Sequence, residues 1–585
     1  MAEPASTSLW GRLTDADNKF QAWRSGFAAS AKAIRHQPSP RVIGSAIRGD
    51  ALLTGKIRAA GDTVSAPNRL PWDVPHPTPR FTDHLHGFSW LDDLGARGGR
   101  EARVTAQKWV WSWIEKYGAA RGPGWVPDLT GTRLCHWLSH APFLLKEIGP
   151  GRQQQFFRSL GRQTAYLSNS WDDAPQGLPR FEALTGLLIA GVSIEGAEPL
   201  VDRAGSLLGK ECFARIGADG GMASRNPEEL ATVFSLLVWS ARTLEEAGGK
   251  PHPDHIAALA RMAPAIRLLR LGDGGIAQFH GGSRGLHGLV EQALADGQVR
   301  LGQTANAAMG FSRMSGGRTI LVIDTGGVPE GDGALTAHAA PLAFEMSTGR
   351  RPFLLNCGTG TEFGDSWSRA SRNIAAHTAM VVGGTSPAKF GALTRAGRIQ
   401  AEPVKTGPKT VTVERATDRS GQWLLCGHDG YAPINGLVHE RRLFLATDGG
   451  DLRGEDTLSA TGSKAENAFT AAMRKHGRGV PIAAHFHLHP DVAVEADSTG
   501  QALILTLPSG EQWGFRQSGG TTSVEPSVCL DPHADAPRAT KQIVVKTVAT
   551  SYATRMNWVF KREGTSAQVL RDIVEDPIEL PDQEL

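Results

Sequence analysis

Apolar positions recur along this chain with two different periods. From about residue 81 to 300 the period is helical. Val110, Trp113, Ile114 and Tyr117 stand at i, i+3, i+4 and i+7, and Leu134, Trp137, Leu138 and Ala141 repeat that spacing. Asn226-Pro227-Glu228-Glu229 puts a capping amide, a first-turn proline and first-turn carboxylates ahead of Leu230, Val233, Phe234 and Leu237, which predicts a helix starting there. After about residue 305 the period becomes two. TILVID (319–324), Val411 with Val413 in KTVTVE, Leu503, Leu505 and Leu507 in ALILTL, and QIVVKTV (542–548) read as strands parted by turns such as DGGD (448–451). Helices followed by strands, without alternation, predict an all-α domain joined to an antiparallel β domain.

This pattern divides the chain into an N-terminal arm (1–80), a helical domain (81–304), an antiparallel β domain (305–575) and a tail (576–585). The arm has a short amphipathic stretch near Phe20 to Ile34, then Gly, Ser and Pro punctuation that suggests a segment laid against the next domain. The most membrane-like run, between Glu182 and Glu195, is shorter than the roughly 20 apolar residues of a spanning helix and reads as a buried one. The opening MAEPASTSLWGRLTDADNKF places Glu3, Asp15 and Asp17 where a secretory signal has a basic end and an apolar run. A cytoplasmic location is therefore expected, with the periplasm as the alternative.

Charge narrows the class of partner. The 585 residues carry 62 Lys plus Arg against 59 Asp plus Glu, a net +3, so a nucleic-acid-coating protein is a poor reading. A 40% apolar fraction excludes intrinsic disorder. The five cysteines are scattered with no C-x-x-C pair, so neither a disulfide framework nor a zinc knuckle is implied. Nothing in the sequence bears on oligomeric state.

Five segments carry candidate chemistry. In Asp219-Gly220-Gly221-Met222-Ala223-Ser224-Arg225-Asn226, two glycines permit a tight turn that would put Arg225 and Asn226 beside a helix N-terminus, where an anion is favoured. Asn226 is equally an N-cap and Arg225 equally a solvated loop charge, and the residues alone favour those roles. His280 is followed by Gly281 and Gly282, which give its ring little side-chain cover and suit a ring facing a cleft, against the equal alternative of a loop histidine bonded to a carbonyl. His377, just before an apolar strand, suits a proton acceptor near neutral pH, with Arg372 close enough in sequence to share an anion site. Tyr431, one of four tyrosines, offers a phenol for proton transfer, although packing in a turn is the commoner fate. On a strand, His485, His487 and His489 would share one face at about 6–7 Å spacing. A polar ladder inside the sheet keeps a small lead there over a metal site.

Together these segments resemble the heparinase II/III-like family of polysaccharide lyases, in the form common in alphaproteobacterial genomes. The likeness is carried in order by LHGFSWLDDL (85–94), DGGMASRNP (219–227), GDGGIAQFHGG (272–282), AHAAPLAFEMSTGRRPFLLNCG (337–358), SRNIAAHTAMVV (371–382), HDGYAPINGLVHERRLFL (428–445) and HFHLHPDV (485–492). The resemblance implies an incomplete α/α toroid followed by an antiparallel β-sheet sandwich domain, with a substrate cleft between them. It implies β-elimination at a uronic acid, which needs the carboxylate neutralised, a base for the C5 proton and an acid for the glycosidic oxygen.

Carried over by position, Arg225 and Asn226 would contact the uronate and His377 would transfer the proton. The chain departs from the family where Met222 replaces a common histidine, where no tyrosine lies between Tyr166 and Tyr431, and where Cys529 replaces an aromatic. Tyr431, then His280, are accordingly the candidates for the partner of His377. No cofactor is required and no catalytic metal is expected. Some members hold a β-domain metal, and for a structural zinc or calcium the first ligands to test are His487, His489 and His439. The expected partner is an acidic polysaccharide or oligosaccharide such as a glycosaminoglycan, with no nucleic acid and no membrane span. The expected activity is that of a carbon–oxygen lyase, against the alternatives of a non-catalytic glycan-binding protein and a glycoside hydrolase, which would need two carboxylates across the cleft.

Overall fold

The computed structural model describes residues 9–286, 288–297, 305–396, 399–477, 479–497, 502–534 and 536–564. The expected 576–585 tail, and the 304/305 boundary on its helical side, lie outside the described residues. Helices fill the first half of the chain. The six that begin at Pro127, Pro150, Leu178, Pro199, Pro227 and Pro253 all carry proline in their first turn, where its missing N–H costs nothing. Val110 and Trp113 are fully buried, with Ile114 and Tyr117 packed at the edge of the same core. The second stripe is split: Pro127–Ser139 ends before Ala141, which opens a new short helix, Ala141–Leu145, beyond a break at His140. The apolar helix Leu178–Ser193 is buried along nearly its whole length. It lies so close on Pro127–Ser139 that a Cβ at Gly186 would stand 2.3 Å from the Gly131 Cα. Among the described residues no helix is long and apolar enough to cross a membrane.

The arm is more structured than its punctuation suggests. It holds the helix Leu9–Arg24 and a two-stranded hairpin, Lys56–Ala59 with Asp62–Ser65. The amphipathic stretch does not continue as helix to Ile34, because the Ser25–Phe27 turn ends it. Beyond that turn the arm crosses the helices, where Trp239 donates to the Ser39 carbonyl and Arg35 to that of Val192.

Among the described residues the second half holds three large antiparallel sheets and two short two-stranded ones, Thr394–Ala396 with Ile399–Ala401 and Lys389–Phe390 with Val404–Thr406. A five-stranded sheet (Ala307–Ala308, Phe311–Gly316, Thr319–Asp324, Phe344–Thr348, Arg351–Leu354) adjoins the helices. An eight-stranded sheet runs in the order Val411–Thr417, Gly421–His428, Val438–Ala446, Asp451–Ser459, Ala553–Arg562, Gln512–Ser518, Leu503–Thr506, Ala493–Ala496. The third sheet orders Thr521–Cys529, Arg538–Ala549, Val480–His487 and Met380–Val382. All three meet at aromatic side chains: Phe344 stacks on Trp558 with centroids 5.8 Å apart, and Phe486 packs on the same indole at 4.9 Å. The amphipathic helix Ser463–His476 interrupts the strands, a helical period that the overall strand pattern hides.

Candidate active site

The loop before the helix Pro227–Glu246 meets the first sheet of the β domain through Arg225. Its backbone is left-handed, at φ +52°, a conformation uncommon for a residue with a side chain. The guanidinium holds it there. Nε donates to the Met309 carbonyl at 3.0 Å and Nη2 to that of Gly310 at 2.9 Å, Nη1 bonds the Gly327 carbonyl, and Nη2 also pairs with Asp324 at the end of the TILVID strand. Arg225 is thus largely consumed in joining the two halves of the chain. Asn226 caps the helix as expected, its Oδ1 accepting from the Glu228 and Glu229 amides at 3.0 and 3.1 Å. That bond uses only the oxygen, so the Nδ2 donors are not spent on the cap.

Asp324 reaches His280 with its second oxygen, at 3.0 Å from Nε2. His280 Nδ1 accepts from the His338 backbone N–H at 3.2 Å, so the ring proton sits on Nε2, the nitrogen nearer the carboxylate. His338 in turn places Nδ1 2.8 Å from His377 Nε2. Because His377 Nδ1 lies 2.8 Å from the Asn373 carbonyl, which can only accept, that nitrogen carries the proton. His338 Nδ1–H therefore donates to His377, and His338 Nε2 is left as an acceptor. All three rings are nearly enclosed, with 3% of His280, 4% of His338 and 1% of His377 exposed.

This burial corrects the expectation of an open ring at position 280. The bare glycine backbones bring neighbours closer rather than leaving space: a Cβ at Gly281 would meet Thr336 at 3.0 Å, and one at Gly282 the Asn226 side chain at 2.4 Å.

Electrostatics follow from the enclosure. Burial lowers the His377 imidazole to about 4. Burial, with the neighbouring imidazoles and Arg372, holds His338 well below its ordinary value. Burial also lowers His280 against the opposing pull of Asp324. Burial alone would raise Asp324, but the Arg225 charge and the His280 bond outweigh it and hold the carboxyl at about 2. At neutral pH the site is three neutral imidazoles beside the ionised Asp324 carboxylate.

A buried frame keeps the segments in place. Glu345 accepts from the Gln278 and Asn356 amides at 3.0 and 2.9 Å. Asn356 donates to the Gln278 carbonyl and accepts from the Thr378 amide. This frame ties residue 278, two before His280, to residue 378, one after His377. Burial raises the Glu345 carboxyl to about 7.

The sequence model described as Heparinase II/III-like, C-terminal, matches residues 300–559. FtsZ-localized protein C of Caulobacter vibrioides is 30% identical over 537 residues, 90% of this chain and 89% of the relative. The chain belongs to the heparinase II/III-like family.

Among solved structures, heparinase III aligns with this heparinase II/III-like protein at a TM-score of 0.66 and 12% identity, over 94% of this chain and 89% of that one. A heparan sulfate lyase HepC mutant from Pedobacter heparinus aligns at 0.58 and 14%, over 94% and 88%. At such identities the likeness is one of fold, an α/α toroid followed by a β-sandwich.

The remaining sequence candidates of this family member lie apart from the three histidines or serve other contacts. Tyr431 is fully buried in the β domain, its hydroxyl donating to the Met380 carbonyl at 2.6 Å, and burial pushes its phenol well up. Its ring packs on His428, with centroids 5.5 Å apart. Arg372 donates to the Ala337 and Ala334 carbonyls and lies over the Phe390 ring, so it braces the loop that carries His338. His439 bonds Asp456 at 2.8 Å and His428 at 3.3 Å within the eight-stranded sheet. His487 lies in the other sheet between Ser527 and the Ala375 carbonyl, stacked on His485 at 6.1 Å. The strand ends at His487, so His489 leaves the ladder and accepts from the Asp491 amide. His487, His489 and His439 therefore do not converge, and among the described residues no group of three or more His, Cys, Asp or Glu side chains is arranged to hold a metal ion. Asp219 and Asp273, loop carboxylates that a hydrolase could have used, are engaged by the Met309 amide and by Arg284.

Sequence reasoning missed Asp324, His338, Glu345 and Asn356. Asp324 closes an apolar strand, and the other three fall within the 337–358 motif, which is the signal that would have found them.

Proposed function

We propose that this protein binds an acidic, uronate-containing glycan beside His338 and cleaves it by β-elimination. The observation that supports this most is the directed His338–His377 pair. In this reading His338 Nε2 takes the C5 proton. The resulting imidazolium is stabilised through its Nδ1–H bond to His377, and the same proton returns to the departing glycosidic oxygen. A neutral imidazole hydrogen-bonded to a second, carbonyl-anchored imidazole is suited to that exchange. The Nδ2 donors of Asn226 would meet the uronate carboxylate as charge builds beside it, and His280, held by Asp324, would position the His338 segment.

Binding without turnover is the second reading. It is favoured by the engagement of Arg225 and by the burial of Tyr431, which among the described residues leave no phenol and little free guanidinium at the site. A screen of acidic polysaccharides for ultraviolet absorbance separates the two, since elimination creates an unsaturated uronate that hydrolysis and mere binding do not. Absorbance that grows with the wild-type protein and not with His338→Ala supports the lyase. Binding with no absorbance change on any glycan that binds supports the second reading.

A further inference from the structure

The face of the eight-stranded sheet that points away from the histidines carries an ordered row of side chains. Strand register sets Trp423 beside Phe444, Phe444 beside Arg453, Arg453 beside Val559 and Val559 beside Arg516. Alternation along a strand assigns this row to one face, and Arg441 and Asp456 to the other, where Arg441 Nη1 reaches the Leu342 carbonyl toward the site. The row is therefore on the outside.

Its chemistry is graded from aromatic to cationic. Trp423 and Phe444 lie 4.5 Å apart, and Arg453 is centred 5.4 Å above the Phe444 ring. A cross-strand aromatic pair stabilises a sheet, which accounts for the covered Phe444. It does not account for an indole left 38% exposed. Arg442 and Arg555 flank the row and pair with Glu455, and Glu440 stands on the same face opposite Thr457. Among the described residues Arg516 has no carboxylate within ion-pair distance, whereas Arg453 is paired with Asp451. Between these side chains runs an open groove of about 500 Å³.

We propose that this strip is a second binding site, for an acidic oligosaccharide, separate from the histidine site. The indole supplies a flat apolar surface for one sugar ring. The forked guanidinium of Arg516 matches a carboxylate or sulfate group further along the chain, and Arg453, whose Nε and Nη2 bond Asp451, presents its remaining Nη1 beside it. Five strands at roughly 4.8 Å spacing make the row about 19 Å long, which suits an extended ligand rather than a single sugar. The choice of a glycan over an acidic peptide rests on the proposed function.

The test titrates the full-length protein with a heparan sulfate hexasaccharide by calorimetry, and with an oligoglutamate of equal charge. The expected result is hexasaccharide binding that weakens with salt and falls at least about tenfold in Trp423→Ala and in the double variant Arg453→Ser, Arg516→Ser. Both variants should melt like the wild type and turn over any short substrate at the wild-type rate. Unchanged affinity in both variants, or no hexasaccharide binding by the wild type, overturns the site. Oligoglutamate that binds as tightly and competes overturns the glycan assignment in favour of an acidic peptide. Failure of the proposed lyase activity looks different: no unsaturated product from the wild type, with strip-dependent binding intact.

Discussion

His338 donates its Nδ1 proton to His377 Nε2 across 2.8 Å, because His377 has already committed its own Nδ1 proton to the Asn373 carbonyl. The direction of that bond makes His338, and not His377, the ring with a nitrogen to spare. His377 then acts from behind it.

Both rings should matter for elimination, to different degrees. A general base contributes typically 10²–10⁴-fold, so His338→Ala should cost at least about a hundredfold in rate on whichever glycan is cleaved. His377→Gln can still accept a bond through its amide oxygen and should retain more activity than His377→Ala. Near-normal turnover in both alanine variants would remove the pair from the mechanism.

Asp324 is the charge partner of Arg225 across the domain junction, with both side chains largely buried. Asp324→Ala leaves a guanidinium without its counter-charge and should destabilise by about 3–5 kcal/mol, measurable by denaturant titration. A loss below about 1 kcal/mol would show that the three backbone carbonyls alone satisfy Arg225.

Asn226 has separable roles. Asn226→Ser keeps a capping oxygen and should leave the melting temperature nearly unchanged, whereas Asn226→Ala should cost about 1 kcal/mol. Serine cannot supply the amide donors, so glycan affinity or turnover should fall in both variants. Wild-type function in Asn226→Ser would exclude Asn226 from the ligand site.

Acid should destabilise the fold from about pH 6.5 downward. Burial lowers His84, His255 and His377 to about 4, and His86 and His487 to about 3, so between about pH 6.5 and 4 the unfolded chain binds protons that the folded chain does not. The stability these neutral rings confer is present above the unfolded value and is lost as pH falls. Glu345 acts with the opposite sign: raised to about 7, it favours the fold most below its ordinary value and loses that contribution as pH rises through 7. Five imidazoles outweigh one carboxyl, so the melting temperature should drop from pH 6.5 to 4. Glu345→Gln should make that drop steeper, and a flat profile in the wild type would contradict the buried-neutral assignment.

The change of period near residue 305, the helices opened by proline and the Asn226 cap were legible in the sequence because each depends on neighbours within a turn or two of chain. The order of motifs also carried the family. Other features had no local signature. Arg225 meets Asp324 across 99 residues and His338 meets His377 across 39, contacts set by how the 219–227 loop, the 276–282 turn and the first sheet pack together. Glycines near His280 read as openness in one dimension, yet in three they let Thr336 and Asn226 approach the backbone beside the ring. Tyr431 and His439 looked like chemistry because their side chains are polar, and tertiary structure spent both on buried hydrogen bonds. Sequence by itself determined that helices dominate the first half and strands the second, since backbone hydrogen bonding and one-sided burial impose a local period. Only the tertiary structure decided which imidazole keeps a free nitrogen, because that depends on a carbonyl, a carboxylate and two other rings brought together from distant parts of the chain.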